Sequence, residues 1–437
     1  MIVSQAFKGK TYAVLGLARS GVATVETLVA SGARVVAWDS REEARAAVAD
    51  KAELGDPMEI DLAGFDGIVV SPGVPLNKHP IAMRAKIAGV PIIGDIELFA
   101  LARPTLPPHK VVGITGTNGK STTTALIHHI IEQAGFPARM GGNIGLPILG
   151  QEPLEPNLHG MGVYVLELSS YQIDLTHSLD CDVAVLLNIT PDHLDRYNGF
   201  AGYVASKARL FAMQSADHVA VIATEDEPSR GIAASAPAQL REVKAADIDP
   251  EAQLGWPSLQ GPHNAQNAAV AIAVGRALGI DDATIMAALA SYASLPHRMQ
   301  AVGTHNGVLY VNDSKATNAA STAPALGAWP ARDGKPRIHW ILGGVAKSDN
   351  LDECAPYYGN IAHAYTIGEA GHMFADLLRP HMAVDDSEML SAAVRRAARI
   401  AQPGDVVLLS PACASFDQFR DFEARGDAFA AAVSALE

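Results

Sequence analysis

Cysteine is scarce in this sequence. The 437 residues include three, Cys181, Cys354 and Cys413, and they lie far apart. Their spacing fits neither a zinc site nor a disulfide framework. This usage is typical of a reducing compartment and argues against a fold held together by disulfide bonds or structural zinc.

Long apolar runs are also missing. No segment reaches the run of about 18 apolar residues that crosses a bilayer, and the nearest, Ala268 to Ile280, is interrupted by Arg276. The first ten residues lack the apolar stretch of a secretory signal. We therefore expect a soluble, cytoplasmic protein that does not insert into a membrane.

The sequence also has no excess of basic residues over acidic ones. Asp and Glu number 47 against 33 Lys and Arg, which gives a formal net charge of -14. Nucleic-acid binding depends on basic surface that neutralises phosphates, so no nucleic-acid partner is expected. A small anionic ligand is still compatible with this charge, because a few local cations and backbone N–H groups suffice to bind it.

The length and the order of patterns predict a multidomain α/β protein. A hydrophobic fraction of 49% suits packed globular domains, and strand-like runs alternate with helical patterns, which indicates layered α/β units with parallel sheets. Proline-rich Ala102–His109 and the segment Ser294–Arg298 interrupt these patterns. They predict three domains, residues 1–105, 106–297 and 298–437.

The first domain opens with a βαβ pattern. A strand over Thr11–Leu15 leads into Gly16-Leu-Ala-Arg-Ser-Gly21, and a second strand over Arg34–Trp38 ends at Asp39. An acidic residue at that place is typical of dinucleotide-binding folds. Ala18, however, stands where the second glycine of that fingerprint belongs. Three interpretations remain: an NAD site, a Rossmann-like domain for another nucleotide, and a purely structural turn.

The strongest signal is a glycine-rich loop between a strand and a helix. The segment Lys110–Ser121 has the sequence Lys-Val-Val-Gly-Ile-Thr-Gly-Thr-Asn-Gly-Lys-Ser, and an apolar helical pattern follows. Such a loop directs backbone N–H groups at phosphate oxygens, while Lys120 would reach the β- and γ-phosphates and Ser121 would bind magnesium. Ile114 replaces the first glycine of the strict P-loop pattern, and an incidental glycine-rich turn is the alternative.

Two further strand ends carry polar groups. Glu167 ends an apolar strand, where a carboxylate is costly without a partner; it would bind magnesium or form a buried structural ion pair. Asp192, His193 and Asp195 follow the strand Val183–Leu187 and predict a metal and phosphate site. A loop histidine without function is the alternative for His193.

A P-loop alone does not choose between a kinase, a hydrolase, a ligase and a nucleotide switch, but the ordered set of motifs does. The sequence resembles the Mur ligases, which add amino acids to the bacterial cell-wall precursor, over nearly its whole length. The motifs that carry the resemblance are Gly113–Ser121, Glu167–Ser170, Asn188–His193, Gly261–Asn267, Leu295–Arg298 and Asn312–Asn318. Three more indicate the branch of the family that adds D-glutamate: Gly94–Phe99, Gly141–Pro147 and Leu409–Phe419.

The resemblance implies a fold and a reaction. It implies an N-terminal Rossmann-like domain that binds the uridine nucleotide, a central P-loop domain with a mostly parallel sheet that binds ATP, and a C-terminal Rossmann-like domain that binds the amino acid. The implied substrates are UDP-N-acetylmuramoyl-L-alanine and D-glutamate, joined through an acyl phosphate with ATP and two magnesium ions. No oligomer is required for this chemistry.

The resemblance also implies the site residues. Lys120, His193 and Lys207 would be catalytic, and Lys207 would carry a carbamate that binds metal together with Ser121, Glu167 and His193. ATP would contact Gly116, Thr117, Asn118, Gly119, Lys120, Ser121, Thr122, Asn264, Asn267, Arg298 and Asp313. The UDP precursor would contact Arg19, Ser20, Asp39, Ser71 and Asn143. D-Glutamate would contact Thr317, Lys347, Ser415 and Phe422.

Several of these roles have plainer alternatives in the residues themselves. Lys207 is a charged residue on an amphipathic helix, and Asn264 and Asn267 are suited to helix capping. Rival functions are another Mur-type or folylpolyglutamate-type amide ligase, a P-loop kinase or nucleotide switch, and an NAD-dependent dehydrogenase, which Ala18 weakens. Cys413 lacks a histidine partner in its motif, so a cysteine hydrolase is not expected.

Overall fold

The computed structural model describes residues 1–157 and 160–436, and its alternating strands and helices confirm the α/β class. The strands are β1 Thr11–Leu15, β2 Arg34–Trp38, β3 Glu53–Leu54, β4 Gly67–Val70, β5 Ile92–Ile93, β6 His109–Thr115, β7 Ala138–Gly142, β8 Gly162–Glu167, β9 Val183–Leu186, β10 Val219–Ala223, β11 Gln239–Val243, β12 Gln300–His305, β13 Val308–Asn312, β14 Ile338–Gly343, β15 Val345–Ala346, β16 Ile361–Ile367, β17 Val384–Glu388, β18 Val406–Leu409 and β19 Cys413–Ala414. The helices are α1 Arg19–Ala30, α2 Glu42–Ala46, α3 Ile81–Ala88, α4 Asp95–Ala102, α5 Lys120–Gln133, α6 Ser170–Asp174, α7 Phe200–Ala212, α8 Glu227–Ala233, α9 Pro250–Leu254, α10 Pro262–Ala277, α11 Asp282–Ser291, α12 Ala319–Leu326, α13 Gly371–Leu378, α14 Leu390–Ile400 and α15 Phe422–Ser434.

The first sheet is parallel, with the strand order β3-β2-β1-β4-β5. Its central strand β1 is buried from Tyr12 to Leu15, as expected for a strand covered on both faces. Strand order reverses at β1, so the turn from Gly16 into α1 lies at the place where α/β sheets bind ligands.

The second sheet is also parallel, with the order β11-β10-β9-β6-β8-β7. Strand β6 has β8 on one side and β9 on the other, and Ile114 pairs in register with Glu167. Because the strands are parallel, the glycine-rich loop after β6, Glu167 at the end of β8 and the segment after β9 all lie at one edge.

The third sheet is mixed, with the order β12-β13-β18-β14-β16-β17 and one antiparallel pair, β12 with β13. A separate two-stranded sheet pairs Val345 with Ala414 and Ala346 with Cys413. This small sheet brings the chain around Lys347 close to the chain around Ser415.

The chain divides into two compact units. One consists of Met1–Lys244 with Ala269–Ala288 and contains the first two sheets; the other consists of Ala245–Ala268 and the chain from Leu289 onward and contains the third. The domain boundaries after residues 105 and 297 stay a prediction. Among the described helices, none combines the length and the apolar character needed to cross a bilayer.

Candidate active site

The glycine-rich loop is built so that two of its residues must be glycine. Gly116 has φ +154° and Gly119 has φ +83°, in the region where a side chain is strained. A Cβ on Gly116 would also lie 3.0 Å from Leu187 Cβ. Helix α5 begins directly after the loop, at Lys120, and a glycine-rich loop that leads into a helix N-terminus is suited to binding phosphate.

Asn188, which follows β9, holds the loop in place. Its Oδ1 accepts a hydrogen bond from Asn118 N at 2.9 Å, and its Nδ2 donates to the Asn118 carbonyl at 3.1 Å. Thr117 N also donates to the Asn188 carbonyl at 2.9 Å. The sequence predicts a metal and phosphate site in this segment but does not indicate the contact between Asn188 and the loop.

The two candidate catalytic lysines meet at one acceptor. Lys120 Nζ donates to the carbonyl oxygens of Gly116 and Thr117 at 2.9 and 2.7 Å. Lys207 Nζ donates to the same Gly116 oxygen at 2.8 Å and to Thr115 Oγ1 at 3.4 Å. The structure therefore brings Lys207, on α7, directly under the glycine-rich loop.

Lys207 is almost completely buried, with 1% of its surface exposed. Burial, and after it the nearby charge of Lys120, lowers the pKa of Lys207 to about 7, although Asp192 and Asp174 act in the opposite direction. A large fraction of this lysine is therefore a neutral amine near neutral pH, which is the form that reacts with carbon dioxide.

The contacts of Glu167 are compatible with the predicted role as a magnesium ligand. It is 2% exposed, its Oε1 accepts a hydrogen bond from Asn143 Nδ2 at 2.8 Å, and its Oε2 is buried without a hydrogen-bond partner. A carboxylate oxygen in that state is costly unless a cation or a donor completes it. Oε2 therefore does not form the structural ion pair that was the alternative interpretation of Glu167.

No group of three or more His, Cys, Asp or Glu side chains is arranged to hold a metal ion within residues 1–157 and 160–436. Magnesium is usually held by one or two carboxylates and completed by substrate phosphates and water. Ser121, the residue after Lys120 in α5, is buried at the same edge of the sheet.

His193 lies in an aromatic group beside these residues. It has a left-handed backbone, φ +51°, and its side chain is 48% exposed. Its ring centroid lies 5.0 Å from that of Tyr171 and 6.3 Å from that of Tyr203. Tyr203, which the sequence analysis missed, connects the site: its hydroxyl lies 3.2 Å from Thr117 Oγ1, and its ring lies 4.7 Å from Lys207 Nζ.

The residues proposed for the UDP precursor are only partly together. Arg19, Ser20 and Asn143 line one cavity of about 250 Å³. Ser71 lines a smaller adjoining cavity that Ser20 shares. The N-terminus of α1 opens at this place, and its N-cap residue Ala18 supplies no side-chain cap, so the first N–H groups of α1 are available to an anion.

Asp39 is engaged in contacts of its own. Its carboxylate accepts hydrogen bonds from Leu17 N at 2.8 Å and Arg41 N at 2.9 Å, and it pairs with the Arg41 guanidinium at 3.1 Å. Burial alone would raise the pKa of Asp39, but these hydrogen bonds and the charge of Arg41 outweigh it and lower the pKa to about 2. Asp39 thus fixes the turn after β1.

The remaining ATP candidates lie in the second unit. Asn267 Nδ2 donates to Asn264 Oδ1 at 3.0 Å, and Asn264 Nδ2 donates to the Gln260 carbonyl at 3.0 Å. Asp313 accepts from Ser410 Oγ at 2.8 Å. Burial raises the pKa of Asp313 to about 7, against the lowering effects of that hydrogen bond and of Arg298.

The amino-acid candidates form a second local group. Lys347 Nζ donates to Thr317 Oγ1 at 3.4 Å, Ser415 is buried, and Phe422 begins α15. Arg425, missed in the sequence, is 1% exposed; it donates to Ser314 Oγ at 2.9 Å and to the Ala414 carbonyl at 3.3 Å. It joins the chain before Ser415 to α15.

Cys413 is next to this group but is unsuited to nucleophilic catalysis. Burial raises the pKa of its thiol to about 12, although the charge of Arg425 acts in the opposite direction. The thiol therefore stays protonated near neutral pH, and the thiolate is the nucleophilic form.

Comparison with known protein families gives three consecutive matches. Residues 10–94 match the Mur ligase MurD-like N-terminal domain, residues 114–256 the Mur ligase middle domain, and residues 297–413 the Mur ligase glutamate ligase domain.

Full-length relatives and a solved structure agree with those matches. The UDP-N-acetylmuramoylalanine--D-glutamate ligase of Novosphingobium aromaticivorans is 66% identical, with 100% of this chain and 97% of the relative covered. The enzyme of the same name from Sphingopyxis alaskensis is 64% identical, with both chains fully covered. The UDP-N-acetylmuramate-alanine ligase of Thermotoga maritima has a similar fold, with a TM-score of 0.55 at 16% identity over 98% of this chain and 99% of that one.

Proposed function

The chain belongs to the Mur ligase family, and on that premise we propose that it joins D-glutamate to UDP-N-acetylmuramoyl-L-alanine. It is an ATP-dependent, amide-forming ligase of peptidoglycan synthesis. The choice of substrates depends on one observation, the 66% identity over the full length to a ligase of that name. The cytoplasm stays the expected location.

The proposed reaction has two steps, because a carboxylate is a poor electrophile at neutral pH. A carboxylate oxygen of the precursor attacks the γ-phosphorus of ATP, which forms an acyl phosphate and releases ADP. The D-glutamate amine then attacks the acyl carbon, and the tetrahedral intermediate expels phosphate while the amine proton is lost. The first step requires mainly positioning and charge neutralisation.

The loop residues fit the first step. The loop around Gly116 and Gly119 and the start of α5 would hold the β- and γ-phosphates, and Lys120 would leave the Gly116 and Thr117 carbonyls to reach them. Gly116, Thr117, Asn118 and Thr122 would line the nucleotide.

Ser121 and Glu167 would hold one magnesium ion, and His193 with a carbamate on Lys207 would hold a second. Bound there, magnesium would neutralise charge on the phosphates and polarise the reacting oxygens. The carbamate forms when the neutral Lys207 amine bonds to the carbon of CO₂ and loses a proton. It replaces a repelling ammonium group with two anionic oxygens.

The other assignments are part of the same proposal. Asn264, Asn267, Arg298 and Asp313 would complete the ATP site. Arg19 and Ser20 at the start of α1 would bind the diphosphate, with Asp39, Ser71 and Asn143 near the rest of the precursor. Thr317, Lys347, Ser415 and Phe422 would bind D-glutamate, with Lys347 paired to its side-chain carboxylate.

Phosphate release tests the proposal directly. The protein is given ATP, magnesium and UDP-N-acetylmuramoyl-L-alanine, with D-glutamate, L-glutamate, lysine or diaminopimelate in turn. Phosphate release and an amide product are expected with D-glutamate only, and Lys120→Ala is expected to abolish both. ATP turnover without an amide product would indicate a kinase or a switch, and product formation with another amino acid would replace the substrate assignment.

A further inference from the structure

Helix α4 carries two buried acids with very different surroundings. Asp95 and Glu97 lie in its first turn, and each is 5% exposed. The Glu97 carboxylate accepts three hydrogen bonds, from His177 N at 2.6 Å, Ser178 N at 2.9 Å and Ser178 Oγ at 2.7 Å. Glu97 therefore has a structural role that accounts for it, since it fastens α4 to the chain after α6.

Asp95 has no comparable explanation. Its Oδ1 is buried without any hydrogen-bond partner, and burial raises the pKa of Asp95 to about 6, against hydrogen bonds with the Ile96 and Asp95 amides and with Gln172. A buried carboxylate oxygen without a donor destabilises the fold. An acid in the first turn also interacts favourably with the helix dipole, but an exposed acid would do so without the cost of burial.

The position of Asp95 indicates which kind of group could donate the missing hydrogen bond to Oδ1. Asp95 lines the 250 Å³ cavity together with Arg19, Ser20 and Asn143, and it also lines the adjoining cavity of Ser71. It lies where the starts of α1 and α4 line one cavity together with Asn143, the residue after β7. This is the cavity assigned above to the UDP precursor.

We propose that Asp95 is a further substrate-binding residue, which accepts a hydrogen bond from a neutral donor of the bound precursor, an amide N–H or a hydroxyl of its amino-sugar part. This inference rests on the proposed function. A carboxylate repels the diphosphate and the reacting carboxylate of the precursor, and Arg19 with the N-terminus of α1 is better suited to the anionic groups. Asp95 thus selects the neutral part of the ligand.

The test compares Asp95→Ala with Glu97→Gln as the matched control, since both alter a buried acid on one helix turn. For Asp95→Ala the KM for UDP-N-acetylmuramoyl-L-alanine should rise about tenfold or more, the loss of one hydrogen bond to a charged acceptor. Its KM values for ATP and D-glutamate should stay within about twofold, and its melting temperature should be unchanged or higher. Calorimetric binding of the precursor without ATP should show the same loss. Glu97→Gln should lower the melting temperature and leave the precursor KM within about twofold.

Three outcomes would overturn the inference: an unchanged precursor KM in Asp95→Ala, a lower melting temperature at normal precursor affinity, or an equal loss of affinity for all three substrates. If Asp95→Ala folds poorly, Asp95→Asn, which keeps the side-chain volume, replaces it, and a normal precursor KM in Asp95→Asn would overturn the inference. Failure of the proposed function is distinguishable, because the unaltered protein would then neither bind nor consume the precursor.

Discussion

Lys120 and Lys207 donate hydrogen bonds to one and the same oxygen, the carbonyl of Gly116, at 2.9 and 2.8 Å. Two cations that share an acceptor repel each other, and burial together with the charge of Lys120 lowers the pKa of Lys207 to about 7. In the proposed reaction a triphosphate in the loop would compete with this carbonyl for Lys120. Lys120 would then bind phosphate as a cation, while Lys207 would supply the amine that forms the carbamate.

The first prediction concerns Lys207. Lys207→Ala should lower turnover by about 10³-fold, the scale of losing a metal-binding group in phosphoryl transfer. Calorimetric ATP binding should change little, because the loop amides and Lys120 remain. Lys207→Arg is the control: it keeps a cation but cannot form a carbamate, so it should be as inactive as the alanine variant. Wild-type turnover in either variant would contradict the metal-binding role.

The pH dependence of the same residue can be measured in the unaltered protein. The carbamate forms from the neutral amine, and the pKa of Lys207 is lowered to about 7 by burial and by Lys120. As pH falls below about 7 the amine takes up a proton, so activity in CO₂-depleted buffer should fall. Added bicarbonate should restore part of it. Activity that is indifferent to bicarbonate at every pH would count against the carbamate.

Substitution of Glu167 should raise the magnesium concentration that the reaction requires. Glu167→Gln should reduce turnover by about 10²-fold and shift the magnesium titration of phosphate release to higher concentration. Its melting temperature should not fall, because the substitution removes a charge whose Oε2 has no partner. Glu132→Gln, which alters an exposed acid on α5, is the control and should leave the titration unchanged. An unshifted titration in Glu167→Gln would exclude the ligand role.

Substitution of Asn188 should change the affinity for ATP but not the rate of the chemical step. Asn188→Ala removes both side-chain hydrogen bonds to Asn118 and keeps the backbone bond from Thr117 N. The loop should therefore be held less firmly, so the KM for ATP should rise about tenfold and the melting temperature should drop by a few degrees. The KM for D-glutamate is the internal control and should stay unchanged in this variant. Unaltered ATP kinetics would mean that the loop keeps its shape without this brace.

Asp39 should stabilise the folded protein near neutral pH and lose this effect in acid. The pKa of Asp39 is lowered to about 2, so the folded state favours its ionised form. The stabilisation is complete above the unfolded pKa of about 4 and disappears as pH falls toward 2. The difference in melting temperature between the unaltered protein and Asp39→Asn should therefore shrink over that range. A constant difference from pH 5 to about 2 would contradict this assignment.

Lys347 tests the amino-acid site. Lys347→Met should raise the KM for D-glutamate by about 10- to 100-fold, the effect of losing one charged partner of a carboxylate, and should leave the KM for ATP unchanged. Lys335→Met changes an exposed lysine of the same unit and is expected to be neutral. Equal KM values for the two variants would remove Lys347 from the site.

The elements that follow local patterns were predictable from the sequence. The strand, glycine-rich loop and helix around Lys120 are local, and so is the apolar strand that ends at Glu167. The contact of Asn188 with the loop was not predictable, because it depends on β9 pairing with β6 across a long stretch of chain. Local patterns do not give such pairings.

The burial of Lys207 could have been found in its helix. Tyr203, Lys207, Leu210 and Phe211 are all buried on α7, and their spacing is that of one helical face. A lysine on that face indicates a functional site more than a solvated surface. Asp95 and Arg425 gave no such signal, since their significance lies in which polar groups surround them.

Asn143 contacts both proposed sites. It lines the cavity assigned to the precursor, and its side-chain amide donates a hydrogen bond to Glu167, the carboxylate assigned to magnesium. A ligand that turns this amide toward itself changes how tightly the cation is held. Thermodynamic reciprocity then requires the cation to alter the affinity for that ligand by the same factor. If both assignments hold, one asparagine would couple the occupancy of the two sites.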